Sequence, residues 1–407
     1  MSTSVDSQTD LRPFTFEFPE EEIAELRRRI EATRLPGREV VDDRSQGVQL
    51  ATMDELTRYW ATEYDWRRFE AKLNALPQFK TELDGLDVHF IHVKSEHDGA
   101  LPLIITHGWP GSVVEMLEVI DPLVNPTAHG GTAGDAFHVV IPSLPGYGFS
   151  DAPADVGWDP GHVARAWPAL MGRLGYDRYV AQGGDVGSAV TDTMAILGVE
   201  GLAGIHLNFL RRAPAPVTAA VFGGGPDPEG LSDEERAAFG PLKAQFRKGY
   251  IAEQGQSPQS IGYSLTDSPA GLAAWMLDHD VDAYEKISSA FVDHKPSGGL
   301  TRDHVLDNIT LYWLTRTGAS AARMYWESQR AAAAAAAAGP KPPPEVTLPV
   351  GITVFPGEIF RAPRSWAEEV YPNLSYFNEV ERGGHFAAWE EPELFASEMR
   401  AAFRSLR

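Results

Sequence analysis

The stretch of sequence that decides the fold is Arg178-Tyr179-Val180-Ala181-Gln182-Gly183-Gly184-Asp185-Val186-Gly187-Ser188. Its first five residues include the aromatic and β-branched side chains typical of a short buried strand. Residues 188–194 indicate a helix, so the glycine-rich segment between strand and helix is predicted to form a tight turn. Asp185 stands at the centre of that turn. The stretch therefore predicts a strand and a helix joined by a turn that presents an acidic side chain.

A strand, a G-x-nucleophile-x-G turn and a helix together form the nucleophile elbow of α/β-hydrolases, where the nucleophile is usually serine. A serine oxygen forms acyl-enzymes from esters and amides, but a carboxylate in that role would form a very reactive anhydride. A carboxylate can instead displace a leaving group at an sp³ carbon and form an ordinary ester. Asp185 therefore indicates an enzyme that opens epoxides or removes halide.

Strand and helix patterns alternate along the chain from Leu86 onward. Short apolar runs that end at glycine or proline are typical of buried parallel strands. We predict such strands at residues 88–93, 101–106, 137–142, 178–182, 204–209 and 351–355. The alternation predicts an α/β-hydrolase fold, with a doubly wound and mostly parallel sheet.

The predicted strands divide the chain into four parts. Residues 1–85 are expected to be an N-terminal extension, disordered over its first twelve residues and then built of helices and loops. The core is predicted at residues 86–213 and again at 346–407. Strand patterns vanish between residues 214 and 345, which predicts an inserted helical cap. The alanine run 331–338 favours helix, and Gly339-Pro340 is expected to end it before a linker back to the core.

Composition excludes several other classes of protein. The chain of 407 residues has a formal net charge of −22, which argues against a nucleic-acid partner. It contains no cysteine, which rules out disulfides and thiol catalysis and fits a cytoplasmic location. No apolar run is long enough for a membrane span, and the polar N-terminus does not resemble a signal peptide. We therefore expect a cytoplasmic protein without a membrane partner.

A catalytic aspartate in this elbow needs a general base and an acid that orients it. His385 follows the last predicted strand within Gly383-Gly384-His385-Phe386-Ala387. Glu358 follows the strand 351–355, at an edge where open α/β sheets bind ligands. Asp185, Glu358 and His385 occur in the nucleophile, acid, histidine order of α/β-hydrolases. We therefore predict that His385 is the base and Glu358 its partner.

Hydrolysis of an ester on Asp185 also needs an oxyanion hole, because it passes through a tetrahedral intermediate. The backbone N–H of Val186 in the elbow is one candidate donor. The loop His107-Gly108-Trp109-Pro110-Gly111-Ser112 supplies the other, which we place at Trp109. His107 is then expected to hold the loop rather than to act as a base.

Opening an epoxide also requires a donor for the leaving oxygen, and a tyrosine hydroxyl suits that purpose. The helical insertion offers Tyr250 and Tyr325. Spacing alone does not distinguish either of them from the other tyrosines of the chain.

Four segments together resemble the microsomal-type epoxide hydrolase family, which includes soluble microbial members. They are residues 107–112, residues 183–188, Leu265-Thr266-Asp267-Ser268-Pro269-Ala270-Gly271-Leu272, and residues 383–387. The resemblance runs from about Phe14 to the C-terminus, and residues 14–85 look like the N-terminal extension that wraps the core in that family. The sequence lacks the N-terminal membrane anchor of the membrane-bound members. Val186 stands where many members carry tryptophan.

The resemblance implies a role for each candidate residue. Asp185 corresponds to the nucleophile, His385 and Glu358 to the base and its partner, and Trp109 to the oxyanion loop. Tyr250 and Tyr325 fall at the two tyrosine positions that bind and protonate the epoxide oxygen. We therefore expect an epoxide hydrolase that needs neither a cofactor nor a metal ion. The many aromatic and apolar residues of the cap suggest a small apolar epoxide as its substrate.

Two other functions remain open from the sequence. A haloalkane dehalogenase shares the aspartate chemistry, but commonly uses a tryptophan directly after the nucleophile to bind halide, and here that residue is Val186. A hydrolase-fold binding protein without activity would not need all five candidate residues. A homodimer is compatible with the sequence.

Overall fold

The computed structural model describes residues 11–339 and 345–407. The expected disorder of residues 1–10 and the linker at residues 340–344 lie outside the described residues, whereas the helix of the alanine run ends at Ala337, just before Gly339 as predicted. Residues 11 and 12 were also predicted to be disordered. This prediction is wrong, because Arg12 begins the first strand of the sheet. Among the described helices, none combines the length and the apolar character that crossing a bilayer requires.

One sheet runs through the described part of the molecule. Its nine strands are β1 (Arg12–Pro13), β2 (Gln78–Leu83), β3 (Leu86–Val93), β4 (Leu101–Thr106), β5 (Phe137–Pro142), β6 (Tyr179–Gly183), β7 (Leu202–Leu207), β8 (Val350–Val354) and β9 (Leu374–Glu379). They lie in the order β1-β2-β3-β5-β4-β6-β7-β8-β9. The pairs from β1 to β5 are antiparallel, and the pairs from β5 through β4 to β9 are parallel. The prediction of a mostly parallel sheet is confirmed.

The helices of the described residues cover both faces of this sheet and form an insertion after β7. They are α1 (Glu20–Glu31), α2 (Leu50–Thr62), α3 (Trp66–Asn74), α4 (Ile120–Val124), α5 (Pro160–Arg173), α6 (Asp185–Leu197), α7 (Ala215–Phe222), α8 (Asp233–Gln245), α9 (Gly249–Gln256), α10 (Pro258–Asp267), α11 (Pro269–Leu277), α12 (Val281–Val292), α13 (Arg302–Thr315), α14 (Gly318–Ala337), α15 (Arg364–Val370), α16 (Ala387–Glu390) and α17 (Pro392–Ala402). The alanine run forms the end of α14, as predicted.

The sequence located the buried strands well and missed the strands at the edges. β4 and β5 have the predicted bounds, while β7 begins two residues before the predicted strand. β1 and β2 lie within the segment predicted to contain only helices and loops, and β9 was also missed. β2 and β9 carry polar side chains and are buried on part of their surface only, so neither shows the continuous apolar run of a central strand.

The N-terminal helices pack against the insertion at the helix α13. Ile23, Leu26 and Ile30 form the buried stripe of α1, at the three- and four-residue spacing of one helix face. The Trp60 indole donates a hydrogen bond to the Thr310 hydroxyl at 3.0 Å, and the Tyr64 hydroxyl donates one to the Asp307 carboxylate at 2.8 Å. Both acceptors lie on α13, so the N-terminal segment fixes a helix that, in turn, contacts the loop after β4.

Candidate active site

Asp185 lies at the junction of β6 and α6, with a positive φ of 47°. This strained conformation is uncommon for a residue other than glycine and is typical of functional turns. The flanking glycines allow it. A Cβ atom at Gly187 would lie 1.8 Å from the Thr106 carbonyl oxygen of β4, and one at Gly183 would lie 2.1 Å from the Gly187 carbonyl oxygen. The G-x-D-x-G pattern is therefore a steric requirement of the elbow.

The two carboxylate oxygens of Asp185 have different surroundings. Oδ1 accepts a hydrogen bond from the Trp109 backbone N–H at 2.9 Å. Oδ2 faces the His385 ring, with Nε2 at 3.7 Å. The Val186 N–H belongs to the first turn of α6, where backbone N–H groups have no partner within the helix. Oδ1 thus lies at the backbone N–H that the sequence predicts as an oxyanion donor, and Oδ2 is the oxygen that faces His385.

The loop that carries Trp109 is held by α13. Asn308 donates to the Pro110 carbonyl oxygen at 2.8 Å and accepts from the Ser112 hydroxyl at 2.7 Å. The Tyr312 hydroxyl donates to the Gly111 carbonyl oxygen at 2.6 Å. Burial lowers the pKa of His107 to about 4, and its Nε2 accepts a hydrogen bond from the Leu144 N–H at 3.2 Å. A neutral His107 held within the fold is consistent with the structural role predicted for it.

Replacing Gly108 with alanine should strongly reduce activity, because the new Cβ would lie 2.2 Å from Asp185 Oδ1. The carboxylate would have to rotate away from its position, and a displacement of about 1 Å at a reacting group costs on the order of 100-fold in rate. The kcat of Gly108→Ala, measured on any substrate that the parent turns over, should fall by about that factor.

The matched control is Gly172→Ala in α5, where nothing lies within 4 Å of the new Cβ. This change should keep the parental kcat and raise the free energy of unfolding by about 0.5–1 kcal/mol, since alanine favours helix over glycine. Parental activity in Gly108→Ala would contradict the expected clash between the new Cβ and Asp185.

His385 and Glu358 form a buried pair. The distance between His385 Nδ1 and Glu358 Oε1 is 2.6 Å, and both side chains are 2% exposed. The same Glu358 oxygen accepts a hydrogen bond from the Ile359 N–H at 2.8 Å, which fixes its orientation. Burial lowers the pKa of His385, but the charge and hydrogen bond of Glu358 and the charge of Asp185 raise it more, to about 10. The charge of Asp185 therefore helps to hold a proton on His385, and loss of that charge would lower the pKa of His385.

Tyr250 and Tyr325 face the same cavity as Asp185. Tyr250 lies on α9 and Tyr325 on α14, and their ring centroids are 6.0 Å apart. Gln245 donates a hydrogen bond to the Tyr250 hydroxyl at 2.8 Å. Burial first, and then the charge of Asp185, raise the pKa of both hydroxyls well above the usual value. Both tyrosines therefore keep their protons and can act as donors.

The cavity has a volume of about 390 Å³ and is lined mainly by apolar side chains. Among its lining residues, Asp185 is the one anionic residue and Arg211 the one cationic residue. The Arg211 guanidinium lies 5.9 Å from the centre of the Phe246 ring. The cavity thus brings the nucleophile and both tyrosines to one apolar space.

Sequence reasoning missed a second histidine beside the nucleophile. His279 lies between α11 and α12, with Nε2 at 3.9 Å from Asp185 Oδ2 and its ring 4.6 Å from the ring of His385. Burial lowers its pKa. Asp278-His279-Asp280 matches none of the motifs considered, so the only available signal was a histidine between two acids in the insertion.

All seven predicted site residues lie at this one site. Asp185, His385, Glu358 and Trp109 are linked by the contacts above, Val186 adjoins the nucleophile, and Tyr250 and Tyr325 line its cavity.

Comparison with known proteins gives concordant results. The family described as "Epoxide hydrolase N terminus" matches residues 11–116, and the family "alpha/beta hydrolase fold" matches residues 102–266. The chain is 50% identical to a putative epoxide hydrolase of Stigmatella aurantiaca, over 98% of this chain and 86% of that protein. It is 37% identical to epoxide hydrolase 1 of Sus scrofa, over 96% of this chain and 88% of that protein.

Solved structures of similar shape include two epoxide hydrolases. The juvenile hormone epoxide hydrolase of the silkworm Bombyx mori superposes with a TM-score of 0.82 at 31% identity, covering 98% of this chain and 96% of that one. The Aspergillus niger epoxide hydrolase superposes with a TM-score of 0.81 at 29% identity, covering 98% of this chain and 97% of that one.

Proposed function

The chain belongs to the epoxide hydrolase family of α/β-hydrolases, and on this premise we propose that it hydrolyses an apolar epoxide to a vicinal diol through a covalent ester on Asp185. Epoxide hydrolysis itself follows from the family; the covalent route, the residue roles and the apolar substrate are proposed. The observation that supports the covalent route is that the two carboxylate oxygens of Asp185 have different partners. One oxygen accepts the Trp109 N–H, and the other faces His385.

In the first step, Asp185 Oδ2 attacks an epoxide carbon and the carbon–oxygen bond of the ring breaks. Tyr250 and Tyr325 donate hydrogen bonds to the departing oxygen, and one of them supplies its proton. The product is a hydroxyalkyl ester of Asp185, and one tyrosine must regain a proton from solvent or from His385. The raised pKa of each tyrosine means that both begin this step as donors.

In the second step, water attacks the carbonyl carbon of the ester. His385 Nε2 takes the proton of that water, and the Glu358 carboxylate stabilises the imidazolium that forms. The N–H groups of Trp109 and Val186 bind the oxyanion of the tetrahedral intermediate. The ester bond then breaks, and the diol leaves with a proton from His385. The new carboxyl group of Asp185 gives up the second proton of the water, which replaces the proton that the tyrosine took up, and Asp185 returns as a carboxylate.

The character of the cavity supports an apolar substrate. Phe209, Val221, Phe222, Ile251 and Met324 supply apolar surface around the nucleophile. A space of about 390 Å³ is within the range of small-molecule sites. The alternatives of a dehalogenase and of an inactive binding protein receive no support from the relatives described above, which are named as epoxide hydrolases.

A single turnover in H₂¹⁸O tests the covalent route, with enzyme in excess over styrene oxide. Because water attacks the ester carbonyl, the first diol should contain no ¹⁸O, and one ¹⁸O atom should appear in the peptide that carries Asp185. Mass spectrometry of the diol and of the digested protein gives both readings. Enzyme kept in H₂¹⁸O without epoxide is the control and should stay unlabelled. Label in the first diol, with none in the protein, would mean that water opens the epoxide directly.

A further inference from the structure

A second histidine–carboxylate pair beside Asp185 takes no part in the mechanism above. His279 Nδ1 lies 3.3 Å from Asp280 Oδ2, just as His385 Nδ1 lies 2.6 Å from Glu358 Oε1. Both histidines therefore direct Nε2 toward the same atom, Asp185 Oδ2, at 3.9 and 3.7 Å. Base catalysis needs only one such pair, so the second requires another explanation.

The three ligand atoms form a compact triangle. One oxygen of Asp185 and one nitrogen each of His279 and His385 all lie within 4.8 Å of one another. Bonds of about 2.0–2.1 Å around a tetrahedral zinc ion place its ligand atoms about 3.3 Å apart. The separations of 3.7 and 3.9 Å from Asp185 Oδ2 exceed that value by a few tenths of an ångström. The two imidazole nitrogens lie within 4.8 Å of each other, so side-chain rotations that also bring these nitrogens closer would close the triangle around an ion.

His279 itself indicates that a ligand is expected there. Its side chain is 2% exposed, and Nε2 has no hydrogen-bond partner among the described residues. A buried polar atom without a partner is costly, and such atoms are rare in folded proteins. Nε2 is nevertheless aimed at a carboxylate oxygen that is accessible from the cavity.

The surroundings of both imidazoles match those of metal-binding histidines. Such histidines usually hold a carboxylate or carbonyl oxygen at the other ring nitrogen, which fixes the ring and its tautomer. Asp280 and Glu358 fill that position. Asp280 is itself fixed, because Oδ1 accepts the Ala283 N–H at 2.8 Å at the start of α12. The Lys248 ammonium donates to the His279 carbonyl oxygen at 2.6 Å.

We propose that Asp185, His279 and His385 bind a divalent ion of the zinc class, and that this ion reversibly inhibits the enzyme. Two imidazole nitrogens and one carboxylate oxygen suit zinc, whereas magnesium and calcium prefer oxygen ligands alone. A bound ion occupies the attacking oxygen of Asp185 and the lone pair of His385 Nε2, so neither chemical step can proceed. The ion is an inhibitor and not a cofactor, and epoxide hydrolysis needs the metal-free site.

The test is a zinc titration of EDTA-treated enzyme, with epoxide turnover and the heat of zinc binding measured in parallel. The parent should bind one ion at the site and lose turnover in step with binding, and EDTA should restore it. His279→Phe removes a ligand, and Asp280→Asn keeps the helix cap but weakens the outer partner. Loss of an outer partner raises a metal dissociation constant by about 10- to 100-fold, and loss of a ligand should raise it more.

The matched control is His129→Gln. His129 also contacts two carboxylates, Asp121 at 2.7 Å and Glu393 at 2.6 Å, but it is absent from the residues that line the cavity. This variant should keep the parental zinc inhibition constant. Each zinc inhibition constant is derived from rates expressed relative to the zinc-free rate of the same variant. The Asp280→Asn variant provides the test if His279→Phe does not fold.

Zinc inhibition of undiminished strength in both His279→Phe and Asp280→Asn would overturn the proposal. So would an equal loss of inhibition in His129→Gln, or a parent that neither binds nor responds to millimolar zinc. The inhibition measurement rests on the proposed function, whereas the heat of binding does not. Zinc binding that depends on His279, in a protein that turns over no epoxide, would support the proposed zinc site and contradict the proposed function.

Discussion

His385→Ala should halt the enzyme after the first chemical step and leave a hydroxyalkyl ester on Asp185. Attack of Asp185 on the epoxide does not need His385, but attack of water on the ester needs a base. Loss of a general base slows a proton-transfer step by about 10²- to 10⁴-fold, so the ester should accumulate. The measurement is the mass of the intact protein and of the peptide that contains Asp185, after mixing with styrene oxide. Turnover at steady state should fall by the same factor.

Two further variants make this result specific. Asp185→Asn should show no adduct, because an amide is a poor nucleophile. Glu358→Gln should show an adduct that decays at an intermediate rate, since His385 stays in place but loses the negative charge that stabilises its imidazolium. If the parent turns over an epoxide while His385→Ala never carries the adduct, the two-step route is wrong.

Local sequence predicted the parts of the site that depend on backbone geometry. Asp185 could be found because its turn demands Gly183 and Gly187, where a side chain would meet backbone atoms at 2.1 and 1.8 Å. His385 could be found because it follows glycines after the last apolar strand run. A backbone that must turn sharply requires glycines at that point, and these are visible in the sequence.

The site residues of the helical insertion have weaker sequence signals. Tyr250 and Tyr325 lie on different helices, α9 and α14, and the packing of those helices brings their rings to 6.0 Å. Spacing could not select them, and only the resemblance to a family did. His279 was missed altogether, because its position beside Asp185 depends on how the segment between α11 and α12 lies over the sheet. Such long-range contacts have no local pattern.

Tyr250→Phe combined with Tyr325→Phe should nearly abolish ester formation. Opening the epoxide places negative charge on its oxygen, and the two hydroxyls are the proposed donors to it. Removal of one such donor costs on the order of 10²- to 10³-fold when no other replaces it. Each single variant retains one donor, so each should lose less, while the double variant should lose more than the product of the two single losses.

The rate constant of ester formation, followed by rapid quenching with enzyme in excess, separates this effect from that of His385. The tyrosine variants should slow formation of the ester, and His385→Ala should slow only its breakdown. Tyr371→Phe is the matched control, since that buried hydroxyl donates to Asp192 at 2.8 Å and lies outside the residues that line the cavity. It should form the ester at the parental rate.

In the proposed mechanism, the two tyrosines also explain why an aspartate elbow would open epoxides. Asp185 supplies only an attacking oxygen, which serves equally well for any leaving group at sp³ carbon. The side chains that face the leaving group determine which leaving group the site accepts. Two hydroxyls whose protons are held well beyond neutral pH match an alkoxide, which must be protonated. Parental ester formation in the double phenylalanine variant would therefore show that the selection for an epoxide lies elsewhere in the cavity.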